Sequence, residues 1–294
     1  MTSSPIAYRN GEFVSLDKLT VPPQDLGFMW GVTVAEQLRT FRGELFQLAE
    51  HLNRLRTSLQ IVGVDVDITA IEDAAKQIVK HNYALEDSNT DLGVTIFVTP
   101  GLSSTYSPHT EPNPLIGVHS YPLRFTLWKS KYDDGQVCEL SSVTQVPTDC
   151  WPRHLKARSR MHYFLADQQV RKRNPNARAI LLDDEGYVNE ASTANVLAYF
   201  NDEGFVSPPL EDILPGVSLR YVEAIVQQRG GSFTYRKLTA KELADADEIF
   251  LTSTPFCLLP ISQLDEEKLT QRSRFNELLS DWSQAVNVDI RNQT

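Results

Sequence analysis

"ARAILLDDEGYVNEASTANVLAYFNDEG", residues 177–204, decides how this chain is built. "ARAILLDD" and "NVLAYF" are apolar runs of strand length. Asp184-Glu185-Gly186 and Asp202-Glu203-Gly204 are turn signals between strands. Glu190, Ser192, Thr193 and Asn195 bring an acid and three hydrogen-bonding side chains to the start of an apolar strand. Solvent exposure is the bland explanation for such a cluster, and a binding site is the other.

Further out, hairpins recur. "IAYRNGEFV" is a hairpin around Asn10-Gly11, a pair suited to the positive φ of a tight turn. "VTVAEQLRTFRGELFQL" reads as strand, turn at Arg42-Gly43, strand. "LAEHLNRLRTSLQIVG" has helical spacing at Leu48, Leu52, Leu55 and Leu59, with Gly63 placed to end it. "DITAIEDAAKQIVKHNYAL" is a second amphipathic helix with Asp67 as N-cap. "LGVTIFVT" and "LIGVHSYPL" are strands, separated by the polar loop "PGLSSTYSPHTEPNP", of a length common in binding loops and lids. "VCELSSVTQV" and "DEIFLTST" are strands. "KARSRMHYFLADQQVRKR", "GVSLRYVEAIVQQRGG" and "EEKLTQRSRFNELLSDWSQAV" are helices. Strands come in hairpins as often as they alternate with helices, which favours two mixed α/β lobes over a doubly wound parallel sheet. The expected division is a smaller lobe over 1–125, a linker over 126–135 containing most of "TLWKSKYDDGQ", and a larger lobe over 136–294.

The chain has 294 residues, 41% hydrophobic and 22% charged, as in soluble globular proteins. A net charge of −10 argues against broad binding of nucleic acid or anionic membranes. No apolar run approaches membrane-spanning length, and the N-terminus lacks the apolar core of a signal peptide. Cys138, Cys150 and Cys257 have no metal-type spacing, so a reduced, cytoplasmic chain is the simple reading.

Several stretches could carry chemistry. "WPRHLKARSRMHYFLA" (151–166) is the most basic stretch of an acidic protein; a solvated helix face is its bland reading. Lys156 within it stands where an amine can be partly desolvated, as a nucleophilic lysine requires. "DILPGVSLR" opens a helix after Pro215, and the free amides of Val217 and Ser218 suit a phosphate. "FLTST" ends a strand on hydroxyls, including Thr254. Arg54, among leucines, needs solvent or an anion.

Taken in order, "HLNRL" (51–55), "LKARSR" (155–160), "NEASTANV" (189–196), "LPGVSLR" (214–220) and "ADEIFLTST" (246–254) resemble the class IV, or fold-type IV, aminotransferases. That group uses pyridoxal 5′-phosphate (PLP) and includes branched-chain and D-amino-acid aminotransferases and aminodeoxychorismate lyase. The resemblance runs from about Asp25 to Asp265, and 34 positions separate Lys156 from Glu190. It implies two α/β lobes with the cofactor in a cleft between them, and a homodimer. It implies that Lys156 bonds to the cofactor aldehyde and then shuttles the substrate proton. It implies that Glu190 keeps the pyridine nitrogen protonated, so that the ring draws electrons from the α-carbon. Arg54, the amides of Val217 and Ser218, and Thr254 would hold the phosphate. Asn195 would shape the strand start, with Ser192 and Thr193 in either role.

The sequence departs from the family twice. Where many members carry an acidic residue between two glycines, this chain has Gly31, Val32 and Thr33, although Glu36 and Arg39 follow. The Arg-x-His clamp of D-amino-acid enzymes and the lyase's glycine- and arginine-rich loop have no match in "PGLSSTYSPH". The resemblance implies a transaminase acting on an amino acid, with a branched-chain L-amino acid as one candidate, and a 2-keto acid. A lyase on the same cofactor and a non-enzymatic relative are the alternatives.

Overall fold

The computed structural model describes residues 4–87, 90–105 and 113–293. The chain forms two compact lobes, Met1–Arg124 with His154–Ser159 and Phe125–Arg153 with Arg160–Thr294.

The first lobe runs β1 (Ile6–Arg9), β2 (Glu12–Ser15), α1 (Leu26–Met29), β3 (Val34–Phe41), β4 (Glu44–Leu45), α2 (Leu48–Val62), α3 (Ile68–Tyr83), β5 (Leu92–Thr99) and β6 (Leu115–Pro122). Its sheet has the order β2-β1-β6-β5-β3-β4 and is antiparallel throughout. The β1–β2 turn is Asn10 (φ 46°) and Gly11 (φ 96°), as their sequence requires. Gly63 closes α2 in the left-handed region, and the Asp67 carboxylate accepts from the amides of Thr69 and Ala70 to open α3. Leu52, Leu55 and Leu59 of α2 and Ile71 and Ile78 of α3 bury themselves with Leu38, Val94 and Ile96 of the sheet. In "PGLSSTYSPHTEPNP", Leu102 bridges to Asp25, while residues 106–112 lie outside the described residues.

The second lobe continues with α4 (Lys131–Asp134), β7 (Gln136–Leu140), α5 (Met161–Arg171), β8 (Arg178–Leu182), β9 (Val188–Ala191), β10 (Ala194–Phe200), β11 (Gly204–Ser207), α6 (Val217–Gln228), β12 (Phe233–Tyr235), α7 (Ala240–Ala244), β13 (Glu248–Ser253), β14 (Cys257–Leu264), β15 (Glu267–Lys268) and α8 (Ser273–Ala285). Its sheet runs β12-β11-β10-β13-β14-β7-β8-β9, and β9 pairs back onto β10. Six strands therefore close a ring, with β11 and β12 as a spur. The pairs β14–β7 and β7–β8 are parallel, and the other pairs of the ring are antiparallel.

Four sequence expectations change. The stretch expected as a linker over 126–135 is built into the second lobe: Tyr132 is buried, and its hydroxyl donates to the Phe256 carbonyl at 2.8 Å. The helix expected from Lys156 begins at Met161, because Ala157 forms an antiparallel bridge with Val34. β7 stops at Leu140, short of the strand expected to Val146. The last helix begins at Ser273, because Glu267-Lys268 pair with β14. The buried Glu248 then accepts from the amides of Arg274 and Phe275 at 2.8 and 3.0 Å, a cap supplied 26 positions upstream. Among the described residues no helix is long and apolar enough to cross a membrane, and no cluster of three or more metal-type side chains occurs.

Candidate active site

In the first lobe the site is built on β3, α2 and the returning segment 154–159. The Lys156 amide donates to Ser58 Oγ at 3.1 Å and its carbonyl accepts from Ala35 N at 3.0 Å. Arg158 N donates to the Thr33 carbonyl, so the backbone on both sides of the lysine is pinned to the start of β3. Arg54 projects from α2 with its side chain 9% exposed. The anion its position demanded is, on two nitrogens, Glu36: Nε and Nη2 donate to the two carboxylate oxygens at 2.8 Å each. His51 Nδ1 lies 2.8 Å from Glu36 Oε2. Burial works to raise the Glu36 pKa, but the charge and hydrogen bonds of Arg54, then His51, hold it far below the usual carboxylate range. Burial lowers the His51 pKa, and Lys156 is among the cations that push the same way. A neutral His51 donates from Nδ1 to Glu36, leaving Nε2, which is buried without a hydrogen-bond partner, as an acceptor.

In the second lobe Glu190 is 5% exposed and is not a surface turn residue. Oε1 accepts from Asn195 Nδ2 at 3.0 Å and from Leu214 N at 2.6 Å. Oε2 accepts from Tyr163 Oη at 2.6 Å and from Gln145 Nε2 at 3.3 Å. Burial first, and Glu190 second, push the Tyr163 pKa well up, so the phenol stays a donor. Asn195 is the organiser. It holds Glu190 and the Leu214 carbonyl, pairs with Thr252 across β10–β13, and fills the space against Gly216. Ser192 donates to Asp167 at 2.8 Å, which ties the β9–β10 turn to α5; Thr193 is exposed at φ 64°. Neither has a contact that marks it as a ligand residue.

The residues expected to hold phosphate, Val217 and Ser218, are the first two of α6, and both are buried. No side chain caps that helix, so its leading amides face outward from a dipole end that favours anions. Ser218 Oγ and Thr252 Oγ1 are buried hydroxyls without a hydrogen-bond partner. Gly216 leaves room that any Cβ would take by running into Asn195 Oδ1. Together these orphan hydroxyls, free amides and a side-chain-free approach fit the phosphate of PLP, and Glu190 fits its pyridine nitrogen. Thr254 is buried in the turn after β13. The sequence reading passed over His51, Gln145, Tyr163 and Thr252. Tyr163, on α5, and Gln145, in the segment after β7, are 27 and 45 positions from the carboxylate they touch.

The amino-transferase class IV model matches residues 17–264. The D-alanine aminotransferase of Bacillus licheniformis is 24% identical over 94% of this chain and 98% of its own length. Two solved structures share the fold. One is the branched-chain aminotransferase of the thermophilic archaeon Thermoproteus uzoniensis with norvaline, at TM-score 0.85, 23% identity, and 96% and 95% coverage. The other is 4-amino-4-deoxychorismate lyase from Pseudomonas aeruginosa, at TM-score 0.80, 21% identity, and 96% and 99% coverage. With the match extending over every segment that contributes a site residue, the chain belongs to the class IV aminotransferase family and is an enzyme that transfers amino groups.

Proposed function

We propose that this enzyme uses PLP to move an amino group between an amino acid and a 2-keto acid, with Lys156 as covalent anchor and proton carrier and Glu190 as partner of the ring nitrogen. The observation that carries the reading is the buried Glu190 carboxylate, fixed by four donors in the same lobe as the uncapped start of α6 and the orphan hydroxyls of Ser218 and Thr252. Class IV aminotransferases use PLP. When bound, it supplies an electron sink for the carbanion at the substrate α-carbon. Glu190 would keep the ring nitrogen protonated, and the Lys156 amine would accept the α-proton of the substrate. Arg54, the amides of Val217 and Ser218, and Thr254 would hold the phosphate, with Thr252 added to that set.

A branched-chain L-amino acid is the proposed donor. The missing clamp arginine weighs against D-alanine, although D-alanine aminotransferases are among the relatives. A PLP-dependent lyase is the second reading, favoured by the similarity of the fold to the Pseudomonas lyase. We further place the enzyme in the cytoplasm as a homodimer. Exposed Phe28 and Trp30, at 72% and 75%, and Met161 and Phe164, at 68% and 58%, are the apolar surface that pairing would cover.

The test is spectroscopic. PLP-loaded protein is mixed with a panel of amino acids and no acceptor. Conversion to the pyridoxamine form identifies half a transamination and its donor; pyruvate released from aminodeoxychorismate identifies the lyase. Lys156→Ala should abolish borohydride trapping of the cofactor, and trapping that persists would assign the link to another lysine. Light scattering that gives a monomer at working concentration would remove the dimer.

A further inference from the structure

The second lobe buries a positive charge that the protein itself leaves unanswered. Arg153 is 8% exposed, in the turn after Trp151-Pro152. Its Nε is shut off from solvent and has no hydrogen-bond partner, and among the described residues no ion pair reaches its guanidinium. Two other shielded arginines are matched, Arg54 by Glu36 at 2.8 Å and Arg39 by Asp91 at 3.6 Å, while Arg9 Nε and Arg178 Nη1 are, like Arg153 Nε, buried without a hydrogen-bond partner. A guanidinium cannot escape by giving up its proton. A buried charge without a counter-ion is strongly destabilising.

The surroundings of Arg153 identify what is missing. Glu190 is the carboxylate that acts on it most strongly. Glu190, however, already accepts four hydrogen bonds from other groups, and among the described residues it forms no ion pair with Arg153. Asp212 and Asp183 act on Arg153 more weakly, and among the described residues neither forms an ion pair with it; the Asp183 carboxylate already accepts from the amides of Glu185 and Tyr187. His162 lies within electrostatic reach of both Arg153 and Arg160. Burial, then these two cations, push its pKa down to about 4, so at neutral pH it is an uncharged ring with a donor to offer. The cluster is thus a fixed cation and a neutral donor beside the carboxylate that meets the cofactor ring.

We propose that Arg153, with His162 beside it, is an oxyanion-binding residue of the active site. The oxyanion has two sources with the same chemistry: the phenolate oxygen of the PLP ring, or the carboxylate of the amino acid or keto acid. The inference rests on the PLP reading above.

The experiment compares wild type, Arg153→Gln and Arg153→Lys, each loaded with PLP. One arm follows the cofactor absorbance from pH 5 to 10 without substrate. If the phenolate is the partner, losing the cation destabilises the deprotonated form, and the midpoint in Arg153→Gln rises by about one pH unit, a tenfold change. The other arm titrates the unreactive carboxylates acetate and 4-methylpentanoate into the loaded protein. If the substrate carboxylate is the partner, their Kd weakens about tenfold or more in Arg153→Gln while the midpoint stays. Arg153→Lys should fall between in the arm that responds, since it keeps the charge and loses the planar fork. If Arg153→Gln does not fold, Arg153→Lys is read in the same two arms. Midpoint and Kd both within twofold of wild type in a cofactor-loaded variant would overturn the proposal. A wild type that takes up no PLP would instead overturn the functional reading, and this proposal with it.

Discussion

At the residue scale the active site is decided by how carboxylates are satisfied. Glu190 receives four donors, and that arrangement tolerates only a full carboxylate. Glu190→Gln would turn an N–H₂ toward groups that themselves donate. We expect it to lose about 1–3 kcal/mol of stability from that mismatch. Its half-reaction with an amino acid, measured in single turnover, should slow on the order of a hundredfold or more while PLP still binds. A near-normal rate with an unchanged cofactor spectrum would remove Glu190 from the chemistry. Glu36 is the counterpart in the first lobe, and there the sequence showed Arg54 but not what faces it. "HLNRL" displays an arginine on an apolar helix, whereas its partner lies 18 positions earlier on a strand. Lys156, Glu190 and Arg54 could be proposed from the sequence because short motifs carry them. Tyr163, Gln145 and Arg153 were not, because nothing local distinguishes a buried tyrosine, glutamine or arginine from an exposed one.

At the element scale the two-residue turns, α2, α3 and α6 were readable, since each carries its own punctuation: Asn10-Gly11, Gly63, Asp67, Pro215. α5 and α8 were read too long at their starts, because tertiary partners set those ends. Ala157 is drawn into pairing with Val34, and Glu248 caps α8 from a distant strand. β14 went unseen because Pro260 interrupts "CLLPISQL", and proline argues against a central strand. The start of α6 gives the clearest test at this scale. Gly216→Ala would drive a Cβ into Asn195 Oδ1 and dislodge the side chain that joins Glu190 to the Leu214 carbonyl. We expect about 1–3 kcal/mol lower stability in denaturant melts and at least tenfold weaker PLP uptake by fluorescence titration. A variant with native PLP affinity would show that the approach to α6 is not the phosphate site.

At the scale of the whole molecule, acid should act first through histidines with depressed pKa values in both lobes, His51 in the first and His162 in the second. His51 has a folded pKa below its unfolded value, so the unfolded chain takes up its proton first, and the stability tied to the neutral ring is lost as the pH falls below about 6.5. Glu36 has a strongly depressed pKa, so its contribution is present above about 4.3 and is lost as the pH falls toward its folded pKa. Thermal melts should therefore drop in two stages on acidification, and Glu36→Gln should flatten the lower stage at the expense of a lower Tm at neutral pH. An unchanged lower limb in that variant would mean that Glu36 titrates normally. The closed ring of the second lobe has a consequence for synthesis. β7, at residues 136–140, has as one neighbour β14, at residues 257–264, and the Leu140 amide is taken by the side chain of Asp265. The ring cannot shut until more than a hundred further residues have left the ribosome, and until then one edge of β7 stands open to other chains. Its folding should accordingly be slow, as pairings so remote in sequence require. A chain cut after Phe256, expressed beside the full-length protein, should collect in the insoluble fraction, whereas recovery of a soluble folded fragment would show that the arc from β7 to β13 stands without its closing strand.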